Sequence, residues 1–286
     1  MPFEKPKAKI LAIAKKLSGV YDEREAMNMA HLLLTHFYGL DRMKVVLNDE
    51  FLLVENIEIV LNKAIDELNQ HKPIQHILGS VEFYGCELKV DERALIPRPE
   101  TEELVDWIVT ENIIEDPYIL DVGTGTGCIP IALKNAIPKA RVAAVDVSEE
   151  ALALARENAK QNNTEVDFQH LDILNEAFPF DMLDLVVSNP PYIPESDKSE
   201  MSSNVLSFEP HLALFVANND PFIFYKRITE LALQHLKIGG MLYFEIHERF
   251  GEEMVKLVED MGFTNVFLKK DLQGKDRMLQ AQKYYI

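Results

Sequence analysis

At 286 residues and 47% hydrophobic, the chain is long enough for one full-sized domain and one smaller domain, each with its own core. Its 29 Lys and Arg stand against 47 Asp and Glu, a formal charge of -18. A polyanion therefore meets a repulsive average field, which disfavours bulk nucleic-acid binding and leaves room only for a local basic patch.

Only Cys86 and Cys128 are present, far apart, with no CxxC and no His at ligand spacing. That argues against a disulfide framework and against a zinc site, and no metal is expected. The N-terminus, Met1-Pro2-Phe3-Glu4-Lys5, lacks a basic segment followed by an apolar run. No stretch approaches ~18 uninterrupted apolar residues, so the expectation is a cytoplasmic protein without a membrane anchor.

Residues 1–72 carry helical patterns broken by short polar stretches: Ile10, Leu11, Ala14 and Leu17; Met27, Ala30, Leu33 and Leu34; Ile57, Val60, Leu61, Ala64, Ile65 and Leu68. Spacings of three and four predict helices that share a small bundle. From Pro73 to Pro99 the character changes. β-type runs at Gln75–Phe83 and Cys86–Val90 flank Tyr84-Gly85, which predicts a hairpin linking two domains. The expected ranges are 1–72 for the bundle, 73–99 for the hairpin linker and 100–286 for the larger domain.

After Glu100 the pattern becomes strand, helix, strand, helix. Apolar runs at Tyr118–Val122, Val142–Val147, Val166–Leu171, Leu183–Ser188 and Met241–Ile246 alternate with helical segments at Cys128–Ile137, Glu149–Gln161, Phe222–Leu236 and Glu252–Met261. Continuous apolar strands joined through helices imply an α/β fold with a parallel sheet covered on both faces. Val266–Leu268 and Met278–Ala281 are joined around Gly274 without a helix, which predicts an antiparallel hairpin at one sheet edge.

The first α/β strand runs into Asp121-Val122-Gly123-Thr124-Gly125-Thr126-Gly127. Glycines at such a strand-to-helix turn let backbone N–H groups approach a ligand. Asp146, at the end of the second strand, is placed to accept from both ribose hydroxyls, so the pair indicates a nucleoside-containing cofactor. The order GTGTG, without the G-x-G-x-x-G spacing that accommodates a pyrophosphate, favours S-adenosylmethionine over a dinucleotide. Asp172 could receive the adenine amino group with Ile173 on the ring; an ordinary strand-end turn is the other reading of both.

The fourth strand ends in Asn189-Pro190-Pro191-Tyr192, at the sheet edge where open α/β folds bind ligands. Two prolines remove two backbone donors and leave carbonyls free to accept. The Asn189 side-chain oxygen and the Pro190 carbonyl then offer two acceptors to one NH2 group, on a planar amide or an exocyclic amine. Such a nitrogen is a weak nucleophile, and two acceptors orient it and stabilise its growing positive charge without a strong general base. Tyr192 supplies an aromatic face for the planar group. His76, His211 and His247 are accordingly read as structural.

These residues resemble the HemK/PrmC-type N5-glutamine methyltransferases, and the likeness covers nearly the whole chain. It rests on Pro73–Gly79, Leu95-Ile96-Pro97-Arg98-Pro99-Glu100-Thr101-Glu102, Asp121–Gly127, Val145–Ser148, Ser188–Ile193, Phe208–Leu214, and Asp271 with Gly274, Asp276 and Arg277. The resemblance implies a class I S-adenosylmethionine methyltransferase fold, Rossmann-like, seven-stranded with an antiparallel edge hairpin, plus the small helical bundle. It implies methylation of the glutamine of the Gly-Gly-Gln loop of class I peptide chain release factors, with S-adenosylhomocysteine as the product.

Gly123, Thr124, Gly125, Thr126, Gly127, Asp146, Asp172, Ile173 and Asn189 are the expected cofactor contacts. Asn189, Pro190, Pro191 and Tyr192 are the expected glutamine contacts, with Asn189, Pro190 and Tyr192 carrying catalysis. Arg98, Glu100 and Thr101 would line the cofactor pocket, and the bundle would engage the release factor. Two departures stand out: Ile173 occupies a position often aromatic, and Ile246-His247-Glu248 follows Glu245 where a glycine is usual. The enzymatic rival is a methyltransferase of exocyclic amines on DNA or RNA bases, which the -18 charge disfavours because phosphate contacts require Lys and Arg. A cofactor-binding regulator without turnover is the third reading, disfavoured by an intact Asn189 beside an intact glycine loop.

Overall fold

The computed structural model describes residues 2–200, 203–216 and 220–284, so the outer ends of the expected ranges, Met1 and Ile286, lie outside them. The chain divides into two compact units. The first runs to Gly79 and includes the segment ending at Phe208; the second holds the stretches that begin at Ser80 and Glu209.

In the first unit, β1 (Phe3–Glu4) pairs antiparallel with β2 (Phe51–Leu52) beside α1 (Pro6–Leu17), α2 (Glu23–Tyr38), α3 (Arg42–Leu47), α4 (Glu55–Asn69) and α5 (Ile74–Leu78). Asp22 starts α2 by accepting from the Glu25 N–H at 2.8 Å, and Gly39 ends it in the left-handed region, φ 61°. The core gathers Ile10, Leu17, Ala30, Leu33, Leu34, Leu61, Ile65 and Leu68, as the helical spacing predicts. Leu11 and Val60 are exceptions, 61% and 48% exposed. The inner stripe of α1 runs Ile10, Ile13, Ala14, Leu17 and that of α4 Leu61, Ala64, Ile65, Leu68, and both exceptions sit beside a stripe.

A second difference lies at Gln75–Leu78, which opens the expected strand from Gln75 but is helical here. Gly79, at φ 75°, closes that turn by donating to the Gln75 carbonyl at 2.8 Å, and Ile74, Ile77 and Leu78 carry helical spacing. A short apolar run of this kind fits either structure until its neighbours decide.

The second unit opens with β3 (Ser80–Phe83) and β4 (Cys86–Lys89), an antiparallel hairpin turned at Tyr84 and Gly85 with φ 46° and 75°. Phe83, Cys86 and Leu88 are buried in the same cluster as Leu104, Ile131 and Leu133, so this hairpin packs into the α/β core. There follow α6 (Pro99–Glu111), β5 (Tyr118–Val122), α7 (Cys128–Ala136), β6 (Arg141–Asp146), α8 (Glu149–Gln161), β7 (Asp167–His170) and β8 (Leu183–Ser188). Beyond them come β9 (Ile193–Pro194) and a 3-10 turn at Glu195–Glu200; α9 (Ser203–Phe208) belongs to the first unit, and the second resumes with α10 (His211–Leu214) and β10 (Phe215–Val216). The chain finishes with α11 (Ile223–His235), β11 (Leu236–Glu245), α12 (Gly251–Asp260), β12 (Phe263–Lys270) and β13 (Asp276–Lys283).

Seven strands form the expected sheet, in the order β12-β13-β11-β8-β5-β6-β7. β11, β8, β5, β6 and β7 are parallel, while β13 runs antiparallel to both β11 and β12 and forms the edge hairpin. One face is covered through Tyr225, Ile228 and Met254, the other through Leu104, Trp107 and Ile131. From β5 the chain proceeds outward to β6 and β7, then returns to β8 on the opposite side of β5. The order reverses between β5 and β8, and their carboxyl ends carry the glycine loop and Asn189. A crevice at such a reversal is where open α/β sheets bind ligands.

Candidate active site

The loop after β5 is held from three directions. Gly123 and Thr124 donate to the Val145 carbonyl at 2.9 and 3.1 Å, and Gly125 donates to Asp146 Oδ2 at 2.9 Å. Asn158, fully buried on α8, donates to the carbonyls of Thr126 (2.9 Å) and Lys89 (3.0 Å) and accepts from the Lys89 N–H (2.8 Å). One side chain thus ties the loop, α8 and β4 together. Gly123, Gly125 and Gly127 have φ of 75°, 54° and 79°, a region costly for residues with a Cβ.

Gly127 has a further reason to be glycine. A Cβ there would stand 3.1 Å from Ala155 Cβ and 3.1 Å from Ile131 Cδ1, so it is the point where the loop passes closest to α8.

A cavity opens at the strand ends, lined by Gly123, Thr124, Gly125, Thr126, Asp146, Ile173, Asn189, Pro190 and Pro191, all expected from the sequence. Arg98 and Thr101 also line it, as do Leu95–Pro97 and Pro210, Leu212 and Ala213. Gly127, Glu100, Asp172 and Tyr192 are not on its wall. Asp172 is engaged in its own turn, where its two oxygens accept from the Leu174 N–H (3.1 Å) and Asn175 Nδ2 (2.7 Å). Tyr192 packs edge-on against His247, ring centroids 5.7 Å apart, and burial raises its hydroxyl pKa, with Glu245 adding to the effect. The imidazole of His247 also accepts from the Arg249 N–H at 3.1 Å, in keeping with the structural reading of that histidine.

The reacting end of the cavity is organised by a chain of hydrogen bonds. Asn189 Nδ2 donates to Thr101 Oγ1 at 3.2 Å, and the Thr101 hydroxyl donates to Glu245 Oε2 at 2.6 Å. Glu245 is 2% exposed, and burial pushes its pKa up to about 7 against the pull of the Thr101 hydroxyl and Arg277. Ser188 Oγ donates to the Val122 carbonyl at 2.6 Å and locks the end of β8 to the end of β5.

The residues present fit S-adenosylmethionine. Both Asp121 carboxyl oxygens and the hydroxyls of Thr124 and Thr126 are buried without a hydrogen-bond partner of normal geometry among the described residues. Of these, Thr124 and Thr126 lie on the wall of the cavity, which is otherwise lined by Leu95, Ile96, Ile129, Leu171 and Ile173, and Asp121 lies beneath Thr124, so the polar groups at this end face an apolar chamber. Asp146 accepts one backbone N–H on each oxygen, from Gly125 and Ser148 at 2.9 Å, and each oxygen keeps a further lone pair for a hydroxyl. Burial raises the pKa of Asp146, with those backbone bonds opposing the shift. Among the described residues no cluster of His, Cys, Asp or Glu could hold a metal, and no helix is long and apolar enough to cross a membrane.

Fold and cavity together are those of a methyltransferase. The fold is shared with a solved methyltransferase from Pyrococcus furiosus, TM-score 0.52 at 15% identity over 81% of this chain and 100% of that one. It is shared also with human methyltransferase 10 domain containing protein, TM-score 0.51 at 18% identity over 71% and 91%. Residues 101–207 match the Methyltransferase small domain and residues 12–79 the PrmC N-terminal domain.

The release factor glutamine methyltransferase of Flavobacterium psychrophilum is 44% identical over 93% of this chain and 94% of that protein. Its namesake in Bacteroides thetaiotaomicron is 41% identical over 95% and 98%. With such relatives spanning nearly its whole length, the chain belongs to the release factor glutamine methyltransferase family.

Proposed function

We propose that the chain methylates the side-chain amide nitrogen, N5, of the glutamine in the Gly-Gly-Gln motif of class I peptide chain release factors. The observation that carries this reading is Asn189. Its nitrogen is engaged by Thr101, so its oxygen is the end left for a ligand at the cavity wall.

S-adenosylmethionine, when bound, supplies a sulfonium methyl whose S–C bond breaks as the N–C bond forms, leaving S-adenosylhomocysteine. Thr124, Thr126 and Gly123–Gly125 would hold its amino-acid end, Asp146 its ribose, and Ile173 its adenine. Asn189 Oδ1 and the Pro190 carbonyl accept the two amide hydrogens and hold the nitrogen in line. As positive charge grows on that nitrogen the two acceptors strengthen, and the surplus proton leaves to solvent after transfer. Pro190 and Pro191 fix the backbone so that the carbonyl direction does not depend on the substrate. Tyr192 stands behind Pro191, edge-on to His247 and off the cavity wall, so stacking of its ring on the amide would require it to turn toward the substrate.

The first unit, matched to the PrmC N-terminal domain, would engage the release factor. Such a substrate places the protein in the cytoplasm, where Cys86 and Cys128 remain buried thiols.

Incubation with methyl-labelled S-adenosylmethionine and a mixture of release factor, ribosomal protein and DNA tests the reading. The label should appear on the Gly-Gly-Gln glutamine in peptide mass spectra. Label on nucleic acid with none on the release factor would establish the exocyclic-amine rival instead.

A further inference from the structure

A carboxamide has two ends of similar shape and opposite hydrogen-bonding character, and catalysis by Asn189 requires its oxygen, not its nitrogen, to face the substrate. Three elements settle which end that is: Asn189 follows β8, Thr101 lies in the first turn of α6, and Glu245 ends β11. The Thr101 hydroxyl carries one hydrogen, and at 2.6 Å it gives that hydrogen to Glu245. Its oxygen can then only accept from Asn189, which must turn its NH2 inward, as found at 3.2 Å. The geometry points to Thr101 and Glu245 as positioning residues that fix the polarity of the Asn189 carboxamide. This inference rests on the reading of Asn189 as the residue that grips the amide.

The relay is reversible in principle. If the Glu245 carboxyl carries a proton and donates it to Thr101, the Thr101 hydrogen is freed to turn toward Asn189. Asn189 then offers its oxygen to Thr101 and its NH2 to the substrate, so donors face donors and the grip is lost. Glu245 sits where such a change is accessible, since burial and Glu100 favour its neutral form while Thr101, Arg277 and Arg98 favour the carboxylate. Tyr192, Tyr225 and Cys128 also feel its charge, and the Tyr225 hydroxyl is bonded to the Glu245 backbone carbonyl at 2.9 Å. The turnover rate should therefore climb as pH rises through about 7, where Glu245 ionises.

Methyl-transfer kinetics with release factor on T101V, T101S, N189A and the T101V/N189A double variant test the relay. T101V should lower kcat by about 10- to 100-fold, the scale of a misaligned reacting group. KM for S-adenosylmethionine should stay within about twofold, and T101S should restore most of the rate. Once Asn189 is Ala, T101V should cost nothing further, because the two residues act as one unit. Full activity in T101V, or a loss that adds in full to that of N189A, overturns the positioning role and leaves the role of Asn189 intact. Full activity in N189A overturns the underlying reading itself. E245Q, which cannot ionise, should lose the acidic limb of the kcat profile; an unchanged limb removes Glu245 from the relay.

Discussion

Arg98 places one guanidinium nitrogen, Nη2, on both oxygens of Glu209, at 2.6 and 2.8 Å, across 111 residues of sequence. The Glu209 side chain is 1% exposed and that of Arg98 34%. The pair joins the segment that leads into α6 to the segment that leads into α10. Leu95–Pro97 on one side and Pro210, Leu212 and Ala213 on the other wall the same cavity.

The burial of the two partners is unequal, and so should be the cost of removing them. R98M strands a carboxylate away from water, whereas E209Q leaves an arginine that still reaches solvent. R98M should cost about 2–4 kcal/mol and E209Q about 1 kcal/mol, less than for a fully buried pair because solvent screens the arginine. Urea unfolding midpoints of the two variants measure this directly, and equal losses would contradict the account. Affinity for S-adenosylmethionine should fall in both, since each variant loosens a wall of its cavity.

The glycines of the loop separate backbone conformation from packing. At Gly123 an added Cβ meets nothing within 4 Å among the described residues, so G123A pays only for φ 75°, about 1–2 kcal/mol. At Gly127 the same φ penalty is joined by tight contacts with Ala155 and Ile131, the first of which is backbone-close at 3.3 Å to Cα, so α8 must give by a few tenths of an ångström. G127A should therefore lose about 1–3 kcal/mol more than G123A, as overpacking does. Thermal denaturation of the two variants without cofactor gives the comparison. A G127A protein as stable as G123A would mean that α8 moves aside freely.

Much of this site was legible in the sequence because it sits on strand ends. Once Tyr118–Val122, Arg141–Asp146 and Leu183–Ser188 are recognised as parallel strands, the residues that follow them must share one edge of the sheet. Gly123, Asp146 and Asn189 come together for that reason. Asp172 follows a strand in the same way yet stays off the wall, because Asn175 and the Leu174 N–H offer its carboxylate nearer partners. The long-range supports were not legible. Thr101 to Glu245 spans 144 residues, Asn189 to Thr101 spans 88, and Asn158 reaches Lys89 over 69. A single sequence holds no record of which distant polar residues meet. Arg98 and Thr101 were suggested only through the family resemblance, and Glu245 and Asn158 carried no local signal at all.

Asp121 sets the last prediction. It is fully buried at the end of β5, its oxygens lack partners of normal geometry among the described residues, and desolvation pushes its pKa up to about 7. The neighbouring Thr124 hydroxyl opposes that shift and the Asp146 charge adds to it. A carboxyl whose folded pKa lies above its ordinary value binds more protons when folded than when unfolded. Its contribution to stability is full below about pH 4 and is lost progressively as pH rises through about 7. D121N keeps the shape and removes the titration, so wild type should lose stability relative to D121N between about pH 4 and pH 7, by an amount of the order of a few kcal/mol, and the difference should level off above that. Glu245 titrates in the same window, but it is present in both proteins and cancels in the difference. Denaturant midpoints of the two cofactor-free proteins across that range are the measurement. A difference that stays flat, or a wild type that loses stability relative to D121N as pH falls, would show that Asp121 is ionised in the native loop, held there by hydrogen-bond donors such as the Thr124 hydroxyl.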